Sequence, residues 1–136
     1  MCLFSNQKKK IAKEDIICYK IVDKLTDNHY MTPFQHMNVS LNTEYVDTTP
    51  ENDDLLTFKQ IKGGYYHSFK DKDNALKYIQ DFGSGACVLK GIIPKGSEYY
   101  EGIFIFYYNI PSDFLSAYAS KKIKYIEEIN YNEKTI

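Results

Sequence analysis

Only one stretch of this 136-residue chain repeats its apolar side chains at helical spacing: Ala75, Leu76, Ile79 and Phe82 recur three and four apart. That spacing draws one apolar stripe along a helix. Asp71 or Asp73 stands where a cap belongs, and Gly83 stands where helices commonly end in a left-handed residue. One principal helix is therefore expected at about 72–82. With a single helix available, every other apolar run has to be buried as strand.

Such runs are short and numerous. IICYKIV (16–22) and ACVLKGIIP (86–94) are β-branched and bounded by charge, turn or proline, as interior strands are. NVSLNTEYV (38–46) alternates. So does the aromatic segment at 65–69, which follows the permissive pair Gly63-Gly64. GIFIFYYNI (102–110) is a further aromatic strand, and KKIKYIEEI (121–129) closes the fold with Ile123, Tyr125 and Ile129 on one side. Residues 23–37, around Pro33, and 47–54, around Pro50, are expected as loops, with a turn at Pro94-Lys95-Gly96. Residues 111–120 are expected to hold one helical turn or an irregular loop. The sum is an α+β fold, a single compact domain with a mainly antiparallel sheet of about six short strands and one principal helix. Residues 1–15 are expected as a flexible basic segment, 16–130 as the domain and 131–136 as a tail.

Length fits one domain, long enough to bury roughly two-thirds of its unfolded surface. A formal charge of −1, from 17 basic and 18 acidic residues, offers no bulk field for nucleic acid or an anionic membrane. All the basic residues are lysine. Without the bidentate fork of arginine, sequence-specific nucleic-acid reading is not expected. Cys2, Cys18 and Cys87 are odd in number and lack CxxC spacing, so neither a disulfide framework nor a metal cluster follows. Cys18 and Cys87 sit in apolar runs as buried small hydrophobes, which suits a reduced cytoplasmic setting. No membrane span is expected.

The residues able to carry chemistry are scattered. His29, His36 and His67 share no HxH or HExxH pattern, so no metal site is expected. Ser68 and Ser84 lack a nucleophile elbow, and the GSG at 83–85 follows the helix instead of leading into one, so it cradles no phosphate. Glu127 and Glu128 are strand neighbours, so only one of them can face inward. Thirteen tyrosines and eight phenylalanines remain. They either fill the core in place of the absent tryptophan or form a contact surface, which tyrosine suits through its large area and polar tip. His67 reads first as a partly buried structural histidine.

The order of features adds a resemblance. Tyr19-Lys20 on a strand, GGYYHSF at 63–69, a helix with Ala75 and Tyr78, ACVLKGIIPKGSEYYEG at 86–102, and Ala119-Ser120 ahead of IKYIEEI follow one another. This resembles a group of small uncharacterised bacterial and bacteriophage proteins with a YK…GfHsF…A…AS…IxIxEI skeleton. The resemblance implies a compact α+β module encoded by a phage or mobile element, cytoplasmic or virion-associated. A weaker likeness is to ADP-ribosyltransferases of the histidine–tyrosine–glutamate type. It implies an NAD-binding cleft with Tyr19 in the histidine place, Tyr66 or Tyr78 in the tyrosine place and Glu128 as the glutamate. The arginine–serine–glutamate type does not fit a chain without arginine.

The expected function is a non-enzymatic interaction or structural module that binds a protein partner or itself through a tyrosine-rich surface, with no cofactor. Its candidate binding residues are Tyr19, Tyr66, His67, Ser68 and Glu128, and the alternative is the NAD-binding transferase-like domain.

Overall fold

The computed structural model describes residues 2–5, 8–33, 35–49, 59–61, 65–105 and 115–130. Gly63-Gly64, Pro50 and Tyr107-Tyr108, which the sequence singles out, lie outside them.

The expected six-strand α+β arrangement is corrected. Among the described residues twelve strands form one sheet, every pairing in it is antiparallel, and a short helix packs against it. In chain order the strands are β1 (Cys2–Ser5), β2 (Lys10–Ile11), β3 (Ile16–Thr26), β4 (His29–Met31), β5 (Asn38–Val39), β6 (Glu44–Val46) and β7 (Lys59–Ile61). After them come β8 (Tyr66–Phe69), helix α1 (Lys72–Tyr78), β9 (Ala86–Ile93), β10 (Glu98–Ile105), β11 (Leu115–Ser120) and β12 (Lys122–Ile129). The main path across the sheet runs β6-β12-β9-β3-β8-β11-β10-β1-β7. Residues 1–15, expected as a flexible segment, instead supply β1, which lies between β10 and β7, and β2, which pairs with β10. Strands of two to three residues carry too few alternations to be resolved one by one, so the expected strand over 38–46 is two short ones, β5 and β6, and β1, β2, β4 and β7 are not expected at all.

Two of the expected loops are also strand. β3 continues through Thr26 and turns at Asp27-Asn28 into β4, with Asn28 at a left-handed φ of 57° that asparagine tolerates. LSAYAS, expected as a helical turn or loop, is β11, hydrogen-bonded between β10 and β8. The helix is shorter than its apolar stripe. α1 ends at Tyr78, and one turn of 3-10 helix over Ile79–Asp81 follows. Asp71 holds the N-cap position without a side-chain cap bond. Gly83 is not left-handed either, because the 3-10 turn closes itself through Phe82 N–H to Ile79 O at 3.0 Å.

Alternation along the central strands divides the core into two layers. Tyr19 and Ile21, Val88, Phe69, Tyr100 and Phe104, and Leu115, Ala117 and Ala119 face one side, where Ala75 and Ile79 cover them. This is the helix face. Cys18 and Val22, Leu89 and Ile93, Tyr66, Tyr118, Ile123 and Tyr125 face the other, covered by Tyr30, Met37, Val39, Leu41 and Tyr45. This is the arm face, since the segment through β4, β5 and β6 folds over it. The arm is tied down by Leu41 N–H to Asn28 Oδ1 (2.7 Å), Ser40 N–H to the Tyr45 hydroxyl (2.7 Å) and Asn42 N–H to Tyr125 O (2.7 Å).

A bulge in β12 corrects one further expectation. The register with β9 slips between Tyr125 and Glu127. One extra residue exchanges the faces of everything beyond it. Ile123 and Tyr125 therefore stay on the arm face, whereas Ile129 packs on the helix face. No helix among the described residues is long and apolar enough to cross a membrane.

Candidate functional site

The expected binding residues divide between the two faces. β8 alternates, so Tyr66 and Ser68 point to the arm face while His67 points to the helix face, its ring 6.4 Å from that of Phe104. Tyr19 is half-buried on the helix face, opposite Phe69. Glu128 is returned to the arm side by the bulge, in register with Leu89. There it accepts from the Tyr30 hydroxyl at 2.9 Å and pairs with Lys24 Nζ at 3.1 Å. Glu127 is exposed. The structure thus does not gather Tyr19, His67 and Glu128 around one hollow.

A row of polar side chains runs across the arm face beneath the arm. Cys18, Gly91 and Tyr125 are opposite one another on β3, β9 and β12. A side chain at position 91 would meet Tyr125 Cδ1 at 3.2 Å and Cys18 Sγ at 3.3 Å, so glycine lets the ring and the thiol close over that strand more tightly than a Cβ would. Ser68, fully buried, lies beside the Cys18 thiol on the other flank, with Tyr118 opposite it. Lys20 completes the group. The β3–β8 ladder has one rung, Tyr19 to Phe69, and the Lys20 ammonium then bonds the His67 carbonyl at 2.7 Å, where backbone pairing has lapsed.

This row is protected more than it is activated. Burial pushes the Cys18 thiol up to about 12, against smaller opposing effects of Ser68 and Lys20. Burial, and then Glu128, push Cys87 up to about 11. Tyr118 rises to about 12 for the same first reason, and Tyr125 rises as well. At neutral pH these thiols and phenols are protonated, and a protonated thiol is a poor nucleophile. Only Lys20 moves toward reactivity, lowered to about 8 by burial. Among the described residues no three of His, Cys, Asp and Glu come together to hold a metal ion.

The described tyrosines are mostly interior. Tyr30, Tyr65, Tyr66, Tyr100, Tyr118 and Tyr125 are buried, and none of the other described tyrosines is exposed. Among the described residues the exposed large apolar side chains are isoleucine, leucine and valine: Ile11 (55%), Leu25 (53%), Ile17 (49%) and Val46 (49%). Ile11 lines an open cleft of about 920 Å3 together with Ile16, Tyr99, Lys10, Lys13, Glu14 and Asp15.

The backbone around that cleft is held firmly. Ala12 N–H bonds Ser97 O at 2.9 Å and Gly96 N–H returns to Ala12 O at 2.8 Å, while Asp15 Oδ1 accepts from Lys95 N–H at 2.9 Å. Gly96 makes the turn at a φ of 89°, which favours glycine. Tyr99, the aromatic wall, stands edge-on to buried Tyr118 with centroids 6.0 Å apart. Sequence reasoning passed over this cleft because Ile11 sits alone between charges. Two signals of the polar row were available: a lysine inside the apolar run IICYKIV, and a lone glycine inside ACVLKGII, which marks close approach in a strand. Comparison of the chain with protein-family models, curated proteins and solved structures returns no match.

Proposed function

We propose that the protein is a non-enzymatic interaction module that engages a protein partner, a copy of itself included, through the cleft between β2 and β3. The observation that carries this reading is the placement of Ile11, more than half exposed in an open cleft whose lining also includes Tyr99, on backbone clamped to the Pro94–Ser97 turn. Exposed apolar surface with an aromatic wall and a charged rim has the make-up of a contact site. A clamped backbone lowers the ordering cost of binding. Of the tyrosines, Tyr99 serves this surface. The thiols, which burial keeps protonated, fit a structural role for the polar row.

Photo-cross-linking tests the reading. A photoreactive residue at position 11 is expected to give discrete protein adducts in cells, absent when the same probe replaces exposed Lys72 on α1. Equal adduct patterns at both positions, or none at 11, would remove the cleft from consideration.

A further inference from the structure

We infer that the occupant of this cleft is a second copy of the chain, docked about a two-fold axis. The inference rests on the interaction reading above and supplies its partner. Its basis is the distribution of charge around one apolar centre. Ile11 and Ile16 form the centre, and Lys10 and Lys13 lie on the same rim as Glu14 and Asp15. Asp15 is occupied by the Lys95 backbone. Among the described residues no ion pair engages Lys10, Lys13 or Glu14, and Lys13 and Glu14 are both exposed.

A partner of a single charge sign would meet attraction at one half of this rim and repulsion at the other. A second copy meets neither conflict. In an isologous contact residue i faces j while j faces i, so Lys13 of each copy approaches Glu14 of the other, and Ile11 of each lies against the opposing Ile11. A net charge of −1 adds almost no repulsion between whole copies. The backbone agrees. β2 pairs only with β10, so its outer edge has no strand partner among the described residues. Antiparallel pairing of two such edges is itself two-fold symmetric, and it covers an edge that would otherwise stay open.

Sedimentation equilibrium on the full chain tests this. The wild-type chain is expected to dimerise. Ile11→Asp is expected to raise the dimer dissociation constant about thirty-fold or more, the range of a central apolar anchor. Ile17→Asp, an exposed isoleucine outside the cleft lining, is expected to leave it unchanged. Circular dichroism checks that both variants fold. Lys13→Glu alone and Glu14→Lys alone are expected to weaken dimerisation, and an equimolar mixture of the two to restore it as heterodimer. A wild-type monomer at the highest soluble concentration, a dimer indifferent to Ile11→Asp, or a mixture no better than its components would each overturn the two-fold contact. A monomeric wild-type chain that still cross-links at position 11 to a different protein overturns self-docking and leaves the interaction reading standing. Loss of every adduct removes both.

Discussion

The two faces of the sheet are buried to similar depth by opposite means. On the helix face Ile21, Phe69, Val88, Phe104, Leu115 and Ala117 pack under Ala75 and Ile79. This layer is mainly apolar and aromatic, with Phe69 and Phe104 edge to face at 4.9 Å, and its polar atoms include the phenols of Tyr65 and Tyr100 and the His67 ring. The arm face buries a thiol, two serine hydroxyls and several phenols in the same layer as Val22, Leu89 and Ile93. A helix covers the first and irregular chain with short strands covers the second. The difference teaches that stability and specificity are placed separately here. The helix face gains from area removed from water, whereas the arm face holds polar groups whose burial is costly unless each finds a partner.

The largest expected effect falls on the helix face. Phe69 is 1% exposed and stacked edge-on against Phe104. Phe69→Ala is expected to lose about 3–5 kcal/mol, because the rigid strands β3 and β11 on either side prevent collapse into the space. That is a large fraction of the total stability of a domain this size. Urea unfolding of the two chains measures it. A loss below about 1 kcal/mol would mean that the layer is loosely packed, and the contrast between the faces would disappear.

That contrast was only partly legible in the sequence. The helix was readable from the stripe that Ala75 and Leu76 begin, but Ile79 and Phe82 at its far end belong to the 3-10 turn and to the residue after it. The long strands β3, β9 and β12 were readable from β-branched runs. Of the short strands, β2 was not, since it is fixed by distant β10, while the single alternating strand expected over 38–46 is split into β5, paired to nearby β4, and β6, paired to distant β12. The face of Glu128 was unreadable for a sharper reason. Alternation counted from Tyr125 puts it on the wrong side, and only the bulge restores it to Tyr30. The polar row needed knowledge that Cys18, Gly91 and Tyr125 align across three strands, which register decides. Tyrosine abundance suggested a surface, yet register and alternation turned most of the described phenols inward.

A smaller effect, on the arm face, should appear as a pH dependence. Burial lowers Lys20 from 10.5 to about 8. Below pH 8 the amine is protonated in both states. Between 8 and 10.5 the unfolded chain holds a proton that the folded chain has released, so this group makes stability rise with pH. The thiols act in reverse. Cys18 and Cys87 ionise near 9 when unfolded but stay protonated to about 12 and about 11 when folded, so stability falls as pH rises above 9. Tyr30 and Tyr118, raised from 10.0 to about 12, steepen that fall above 10. A shallow maximum near pH 9 is expected, with a rise of less than about 1.4 kcal/mol from pH 8. Lys20→Met should abolish the rise and keep the fall. Denaturant titrations from pH 7 to 10.5 would show it, and identical profiles for the two chains would place the Lys20 ammonium in water.

The smallest effect is the most discriminating. Tyr125 is 1% exposed, and its hydroxyl is buried with no hydrogen-bond partner among the described residues. Tyr125→Phe keeps the ring over Gly91 and the backbone carbonyl that receives Asn42 N–H, and removes only that oxygen. A hydroxyl that has left water without a new bond opposes folding, so its removal is expected to be neutral or to stabilise by up to about 1 kcal/mol. The same change on a hydroxyl that is well bonded costs about that much instead. Thermal and urea unfolding together decide the sign. A stabilised variant means that the arm face keeps a polar group against its own energetic interest. A destabilised variant means that an internal water or neighbour completes the row, and the two faces are then equally well satisfied by different chemistry.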